Sequence, residues 1–316
     1  MVSFSVCWLR SGALTLWRPR SATHNPLTLS MKKFDISSVI LLALCSFLIS
    51  CQDDSSSSKP EFRSSTHPLV NLPKDKGGVQ TAFVLGASAS PYGYYLYTPS
   101  DYKSTGPRFP LLIFLHGSGE VGNSSVNPQA LGNLLVHGPP KMIQNGTWAP
   151  KYPMIVASAQ CHEMWWDIDK VLKFTEFLMA NYQVDTSRIY MTGLSRGGYA
   201  TWDQIMMLGK KSHITAVVPI CGGGAIYPDW VKNASQFPIW AFHGEEDRTV
   251  FPDFDIAIWK AINDLKPVIP AKLTLYPATG HDVWTETYNG TGMGLADPAY
   301  DPFDRDIYSW MFEYSK

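Results

Sequence analysis

The chain has 316 residues, 45% of them hydrophobic, with 26 basic side chains against 27 acidic ones. That is enough apolar material for one large core or at most two small ones. A near-neutral balance, with 17% charged residues and no basic stripe, argues against nucleic acid as a partner. Aromatic content is high, at 13% with 11 Trp, and most of these rings are expected in the core.

The first 80 residues read as leader and tether. Met31-Lys32-Lys33 is a short positive start, 39–49 is an apolar run, and Leu48-Ile49-Ser50-Cys51 closes it. The stretch 31–50 resembles the signal peptide of a bacterial lipoprotein, cut before Cys51, whose thiol would then carry lipid. An apolar run of about 11 residues is short for the ~20 that span a bilayer. The polar run after Cys51 reads as a flexible tether over 51–80, and its two aspartates resemble a surface-export signal. Residues 1–30 lie upstream of a complete signal, lack periodicity, and read as an over-called start. Of five cysteines, Cys161 and Cys221 would remain in the fold, either as free thiols or as a pair. An oxidising compartment would permit the pair.

From residue 81 onward, apolar strands alternate with amphipathic helices. The segments 81–85 and Gly93–Thr98 alternate like half-buried strands. Phe109–Leu115 is continuously apolar, as expected of a strand covered on both faces. Further strands are expected at 154–159, 188–193, Ala216–Ile220, 238–242 and Lys272–Tyr276. Helices are expected at Pro128–Val136, 167–181, 199–208 and 254–265, with Asp167 as an N-cap. Ile168, Val171, Leu172, Phe174, Phe177 and Leu178 form a core stripe on the second helix. This alternation predicts a single α/β domain over 81–316, with a mostly parallel sheet flanked by helices on both faces.

The chemistry gathers at strand ends. Gly193-Leu194-Ser195-Arg196-Gly197 lies between an apolar strand and a helix, the context in which Gly-x-Ser-x-Gly thrusts a serine out on a strained turn. A serine hydroxyl needs a base to become nucleophilic, and an imidazole needs an anion on its other nitrogen. His281, after the last strand, is the candidate base. Asp247, beyond the strand 238–242, is the candidate acid, with Glu245, Glu246 and the adjacent Asp282 as competitors. The order Ser195, Asp247, His281 is the one expected of an α/β-hydrolase. Backbone N–H groups of Arg196 and Ser118 are the candidate oxyanion donors. Among the eight histidines, His116 and His243 read as structural groups at strand ends, and His137, His162 and His213 as residues in ordinary polar surroundings. Trp165, Trp166, Trp284 and Glu120 are candidates for the substrate pocket. The reading calls for no cofactor and no metal.

Several passages together resemble a known group. They are His-Gly-Ser-Gly-Glu (116–120), His-Gly-Pro-Pro-Lys (137–141), Arg-Ile-Tyr-Met-Thr-Gly-Leu-Ser-Arg-Gly-Gly-Tyr (188–199), Pro-Ile-Cys-Gly-Gly-Gly (219–224), Trp-Ala-Phe-His-Gly-x-x-Asp (240–247) and Gly-His-Asp-Val-Trp (280–284). They resemble bacterial α/β-hydrolases described as predicted peptidases, phospholipase/carboxylesterases or feruloyl-esterase-like lipoproteins. The resemblance implies the α/β-hydrolase fold and a serine triad, and leaves the substrate open. Two positions depart from it: Arg196 stands where the group often has Met, and Val121 where it often has Arg. The Arg196 side chain could favour an anionic or uronate-bearing substrate.

The leading expectation is a serine esterase acting on acetyl or feruloyl type esters of an extracellular substrate such as a polysaccharide. It would be tethered to the bacterial envelope, at the outer membrane, through Cys51 alone. A peptidase or amidase using the same triad is the alternative, and a glycan-binding lipoprotein on a decayed hydrolase scaffold is a further one. Oligomeric state is open.

Overall fold

A computed structural model describes residues 63–64, 72 and 74–316. The expectations for 1–30, for the signal peptide 31–50 and for Cys51 therefore lie outside the described residues, as does most of the 51–80 tether. Among the described residues no helix is long and apolar enough to cross a membrane.

Eight strands form one sheet: β1 (Val79–Phe83), β2 (Gly93–Thr98), β3 (Phe109–Leu115), β4 (Ile155–Gln160), β5 (Val184–Leu194), β6 (Ala216–Ile220), β7 (Trp240–Gly244) and β8 (Lys272–Tyr276). Their order across the sheet is β1-β2-β4-β3-β5-β6-β7-β8. β2 runs antiparallel to both neighbours, and from β4 to β8 every pairing is parallel. Among the described residues, seven α-helices accompany it: α1 (Gly138–Gln144), α2 (Ile168–Asn181), α3 (Arg196–Leu208), α4 (Pro228–Ala234), α5 (Asp253–Asp264), α6 (Trp284–Asn289) and α7 (Ile307–Met311).

β3 shows why the sheet is central. All seven of its residues are buried, and successive side chains point to opposite faces. Leu111, Ile113 and Leu115 join Phe174, Trp202 and Ile258 from α2, α3 and α5. Leu112 and Phe114 join Tyr288, Ile307 and Met311 from α6 and α7, with Met142 of α1 packed alongside. Helices thus cover both faces, as the strand–helix alternation predicts.

Four local differences from the expectations have physical causes. The expected helix Pro128–Val136 is a 3₁₀ segment, started by Asn127, whose side chain accepts from the Gln129 N–H. α1 was missed because Gly138-Pro139-Pro140 reads as loop, although prolines are tolerated in a first turn. α3 begins at Arg196 rather than 199, with Gly197 and Gly198 already helical. β5 begins at Val184, where Asp185-Thr186-Ser187 reads as a turn. There the pairing register with β3 shifts, and Asp185 Oδ1 accepts from Ser187 while its Oδ2 accepts from Arg188.

Candidate active site

Ser195 sits between β5 and α3 with φ 53° and ψ −117°, a conformation that costs a non-glycine residue on the order of 1–3 kcal/mol. Two glycines make that turn possible. A Cβ on Gly193 would lie 2.3 Å from the Gly197 carbonyl oxygen, and one on Gly197 would lie 1.9 Å from that of Leu115. The Ser195 N–H donates to the Ile220 carbonyl at 3.0 Å, so the turn is held against β6 as well.

His281, in the loop between β8 and α6, lies with Nε2 3.0 Å from Ser195 Oγ. Its Nδ1 is 2.6 Å from Asp247 Oδ2. A carboxylate can only accept, so Nδ1 carries the proton and Nε2 offers its lone pair to the serine hydroxyl. The other Asp247 oxygen, Oδ1, accepts from the backbone N–H groups of Thr249 at 2.8 Å and Val250 at 3.0 Å. Burial pushes this carboxyl up, but the hydrogen bonds from His243, His281 and the two amides outweigh it and hold Asp247 well below the ordinary carboxylate range. The competing acids do not reach His281. Asp282 accepts from Thr285, and Glu245 pairs with Asp297.

Behind Asp247 is a group that sequence reasoning placed among ordinary structural histidines. His243 is fully buried. Its Nδ1 lies 2.8 Å from Asp255 Oδ2, and its Nε2 lies 2.9 Å from the Val250 carbonyl and 3.2 Å from Asp247 Oδ2. Asp255 in turn accepts from the Trp202 indole N–H at 2.7 Å. Acceptors face both ring nitrogens, so both carry protons and the ring is an imidazolium. Burial alone would lower its pKa, but the bonds to Asp247 and Asp255 raise it to about 10. Asp255 was missed because an aspartate in the first turn of α5 reads as a helix start.

His116, after β3, is the opposite case. Nδ1 lies 2.6 Å from the Gly117 carbonyl, and Nε2 accepts from the Cys161 N–H at 2.9 Å. Burial lowers its pKa to about 4 despite the Gly117 bond, and the ring is neutral. Cys161 and Cys221 are both buried and free.

Ser118 opens the 3₁₀ turn after β3, and Arg196 is the first residue of α3, where main-chain N–H groups lack helical partners. The Arg196 guanidinium ties the two segments together. Its Nε donates to Ser118 Oγ at 2.6 Å, and the group lies 5.7 Å from the centre of the Trp165 ring. A cavity of about 200 Å³ opens here, lined by Ser118, Glu120, Ser195, His281 and Trp284 among others, and also by His137. Trp165 is 58% exposed and lies against Arg196, but it is not one of the residues that line the cavity. Trp166 is a correction: it is 8% exposed, packs in the core with Tyr92, and donates its indole N–H to the His116 carbonyl. It lies among the core side chains and does not line the cavity. His137 differs from its expected polar surroundings, since its Nδ1 meets the buried Glu120. Its neighbours Gly-Pro-Pro were the available signal.

No family model and no curated protein sequence matches the chain. Solved structures do match. A thermostable esterase shares 25% identity at a TM-score of 0.54, over 76% of this chain and 63% of its own; the match thus spans less than two thirds of that esterase. The feruloyl esterase module from Clostridium thermocellum, in complex with sinapinate, shares 13% identity over 80% of this chain and 93% of its own, at a TM-score of 0.47. Thermogutta terrifontis esterase 2 shares 14% over 72% and 98%, at 0.44. With its strand order, its serine turn after β5 and this likeness in structure, the described chain is built on the α/β-hydrolase fold.

Proposed function

We propose that the chain is a serine hydrolase that cleaves carboxylic esters through a covalent acyl-enzyme, with Ser195 as nucleophile, His281 as base and Asp247 as acid. The observation that carries this reading is the unbroken run from Ser195 Oγ to His281 at 3.0 Å and from His281 to Asp247 at 2.6 Å. As Ser195 Oγ attacks the acyl carbon, His281 Nε2 takes its proton, and the Asp247 carboxylate stabilises the imidazolium. The backbone N–H groups of Arg196 and Ser118 face the developing oxyanion, aided by the positive end of α3. The imidazolium then protonates the leaving alcohol, and water repeats the sequence on the acyl-enzyme.

The substrates we propose are acetyl or feruloyl type esters on an extracellular carrier such as a polysaccharide. The exposed Trp165 and the cationic Arg196, which is bonded to the cavity residue Ser118, support a sugar or acidic ligand. The lipoprotein-like segment supports an envelope-anchored enzyme, and Cys51→Ala should release the protein from the membrane fraction.

A fluorophosphonate probe should label the wild type, and p-nitrophenyl acetate should be turned over faster than peptide anilides. Ser195→Ala should lose labelling and cut kcat on the order of 10⁶-fold, the scale found when a triad nucleophile is removed. Faster cleavage of the anilides would make the chain an amidase, and absence of labelling in the wild type would make it a binding protein. Arg196→Met should lower the ratio of acidic to neutral ester turnover; an unchanged ratio removes the guanidinium from substrate choice.

A further inference from the structure

Two carboxylate–imidazole pairs open onto the same cavity. One is Asp247–His281. The other is Glu120–His137, and the proposed reaction makes no use of it. Glu120 lies in the 3₁₀ turn after β3 and is 3% exposed. Its Oε1 meets Nδ1 of His137, the residue that precedes α1. The two imidazoles pack edge-on against the same indole: His281 lies 5.2 Å from Trp284 and His137 5.4 Å, between ring centroids. Glu120, His137 and Trp284 line the cavity together with Ser195 and His281.

The partner of Nδ1 fixes what the second imidazole can do. A carboxylate accepts, so a neutral His137 carries its proton on Nδ1 and presents Nε2 as a bare acceptor. The His137 side chain keeps 30% of its surface exposed although Nδ1 meets Glu120. No protein group among the described residues bonds to Nε2. Two further polar atoms of the residues that line the cavity, Glu120 Oε2 and the Trp284 indole N–H, are buried without a hydrogen-bond partner, which is uncommon in a folded chain.

We infer that the Glu120–His137 pair is a substrate subsite that accepts a hydrogen bond from a hydroxyl group carried close to the scissile ester. The inference rests on Ser195 being the esterase nucleophile. An ester linkage has only acceptors, so an acceptor at Nε2 gains nothing from a bare ester and discriminates in favour of one that bears a donor. The hydroxyl can belong to the acyl group, as in a hydroxycinnamoyl ester, or to the alcohol, as in a sugar. Arg196 and Trp165 form a separate cationic and aromatic feature.

The test compares kcat/KM for esters that differ in hydroxyls. Methyl p-coumarate against methyl cinnamate probes the acyl source. An acetylated methyl xyloside against tetrahydropyran-4-yl acetate probes the alcohol source. Wild type should favour the hydroxylated partner by about tenfold or more in one arm, and that arm identifies the source. His137→Phe removes the acceptor while keeping a ring against Trp284. Glu120→Leu removes the acceptor that keeps the imidazole proton on Nδ1, so Nε2 is no longer held as an acceptor. Both variants should lower the ratio about tenfold, the scale of one lost hydrogen bond. The ratio is independent of how much protein folds, so a merely structural role would leave it unmoved. A labelled, active wild type with no preference in either arm, or a preference that survives both variants, overturns the subsite alone. A wild type that does not react with the fluorophosphonate overturns the proposed function, and this inference with it.

Discussion

Two strands of the sheet deliver the same dipeptide, His-Gly, to the same end of the molecule, and the two histidines are opposite chemical species. At β3, His116 has a main-chain N–H pointing at Nε2, so that nitrogen must be a lone pair and the ring stays neutral. At β7, His243 has Asp255 on one side and the Val250 carbonyl and Asp247 on the other, so both nitrogens must donate and the ring is a cation. Burial alone would drive both toward neutrality. What separates them is the partners that neighbouring loops bring. On the β3 side a neutral ring ties β3 to the backbone after β4 and leaves the charge to Glu120. On the β7 side a buried cation lies between two carboxylates, and one of these is the proposed triad acid.

The largest test of that contrast is removal of the cation. His243→Leu would take the cation from between two buried carboxylates, leaving Asp247 only His281 and two amides and Asp255 only the Trp202 indole, and removing one partner of a buried charge cluster costs about 3–5 kcal/mol. Urea unfolding should show that loss, together with a fall in the kcat of the proposed reaction as Asp247 loses one of the groups that hold it ionised. An unchanged midpoint would mean that His243 is neutral. His116→Leu should cost less, about 1–3 kcal/mol, because the groups it strands, the Cys161 N–H and the Gly117 carbonyl, are neutral. A loss as large as that of His243→Leu would erase the distinction.

The smallest and sharpest test is pH. His243 has a folded pKa of about 10, above its ordinary value near 6.5. Its contribution is therefore fully present below about pH 6.5 and is lost as pH rises toward 10. His116, held down to about 4, contributes above about pH 6.5 and loses that contribution as pH falls toward 4. Other groups titrate in the alkaline window as well, so the diagnostic quantity is a difference. The stability gap between wild type and Asp255→Asn should be widest near pH 6.5 and should narrow steadily by pH 10. A gap independent of pH would show that Asp255 holds no protonated imidazole.

Most of the sheet was legible because a doubly covered strand leaves few choices of residue, as Phe109–Leu115 shows. The serine turn was legible because two glycines must flank it where backbones approach within contact distance. Asp247 and His281 were legible from their places after strands. The second layer was not. Whether His243 is neutral or charged depends on Asp255, a residue of α5 that only the fold brings to its Nδ1. His137 looked ordinary because its partner Glu120 comes from the turn after β3. Trp165 and Trp166 are neighbours in sequence, yet one is exposed and the other lies in the core, and a burial difference between adjacent residues has no signature in composition.

The way Ser195 is held has a consequence for how such a molecule can diversify. The serine is bound to the sheet itself, through its own N–H to β6 and through the contact of Gly197 with the end of β3. Glu120, His137, Asp247, His281 and Trp284 all lie in or beside segments between strands. Insertions and substitutions in those segments can remodel what enters the cavity while the Ser195 hydroxyl, the proposed nucleophile, keeps its place. The scaffold thus separates an inherited, nearly immovable coordinate from a set of replaceable ones, and new specificities can arise by exchanging loops without reinventing the nucleophile.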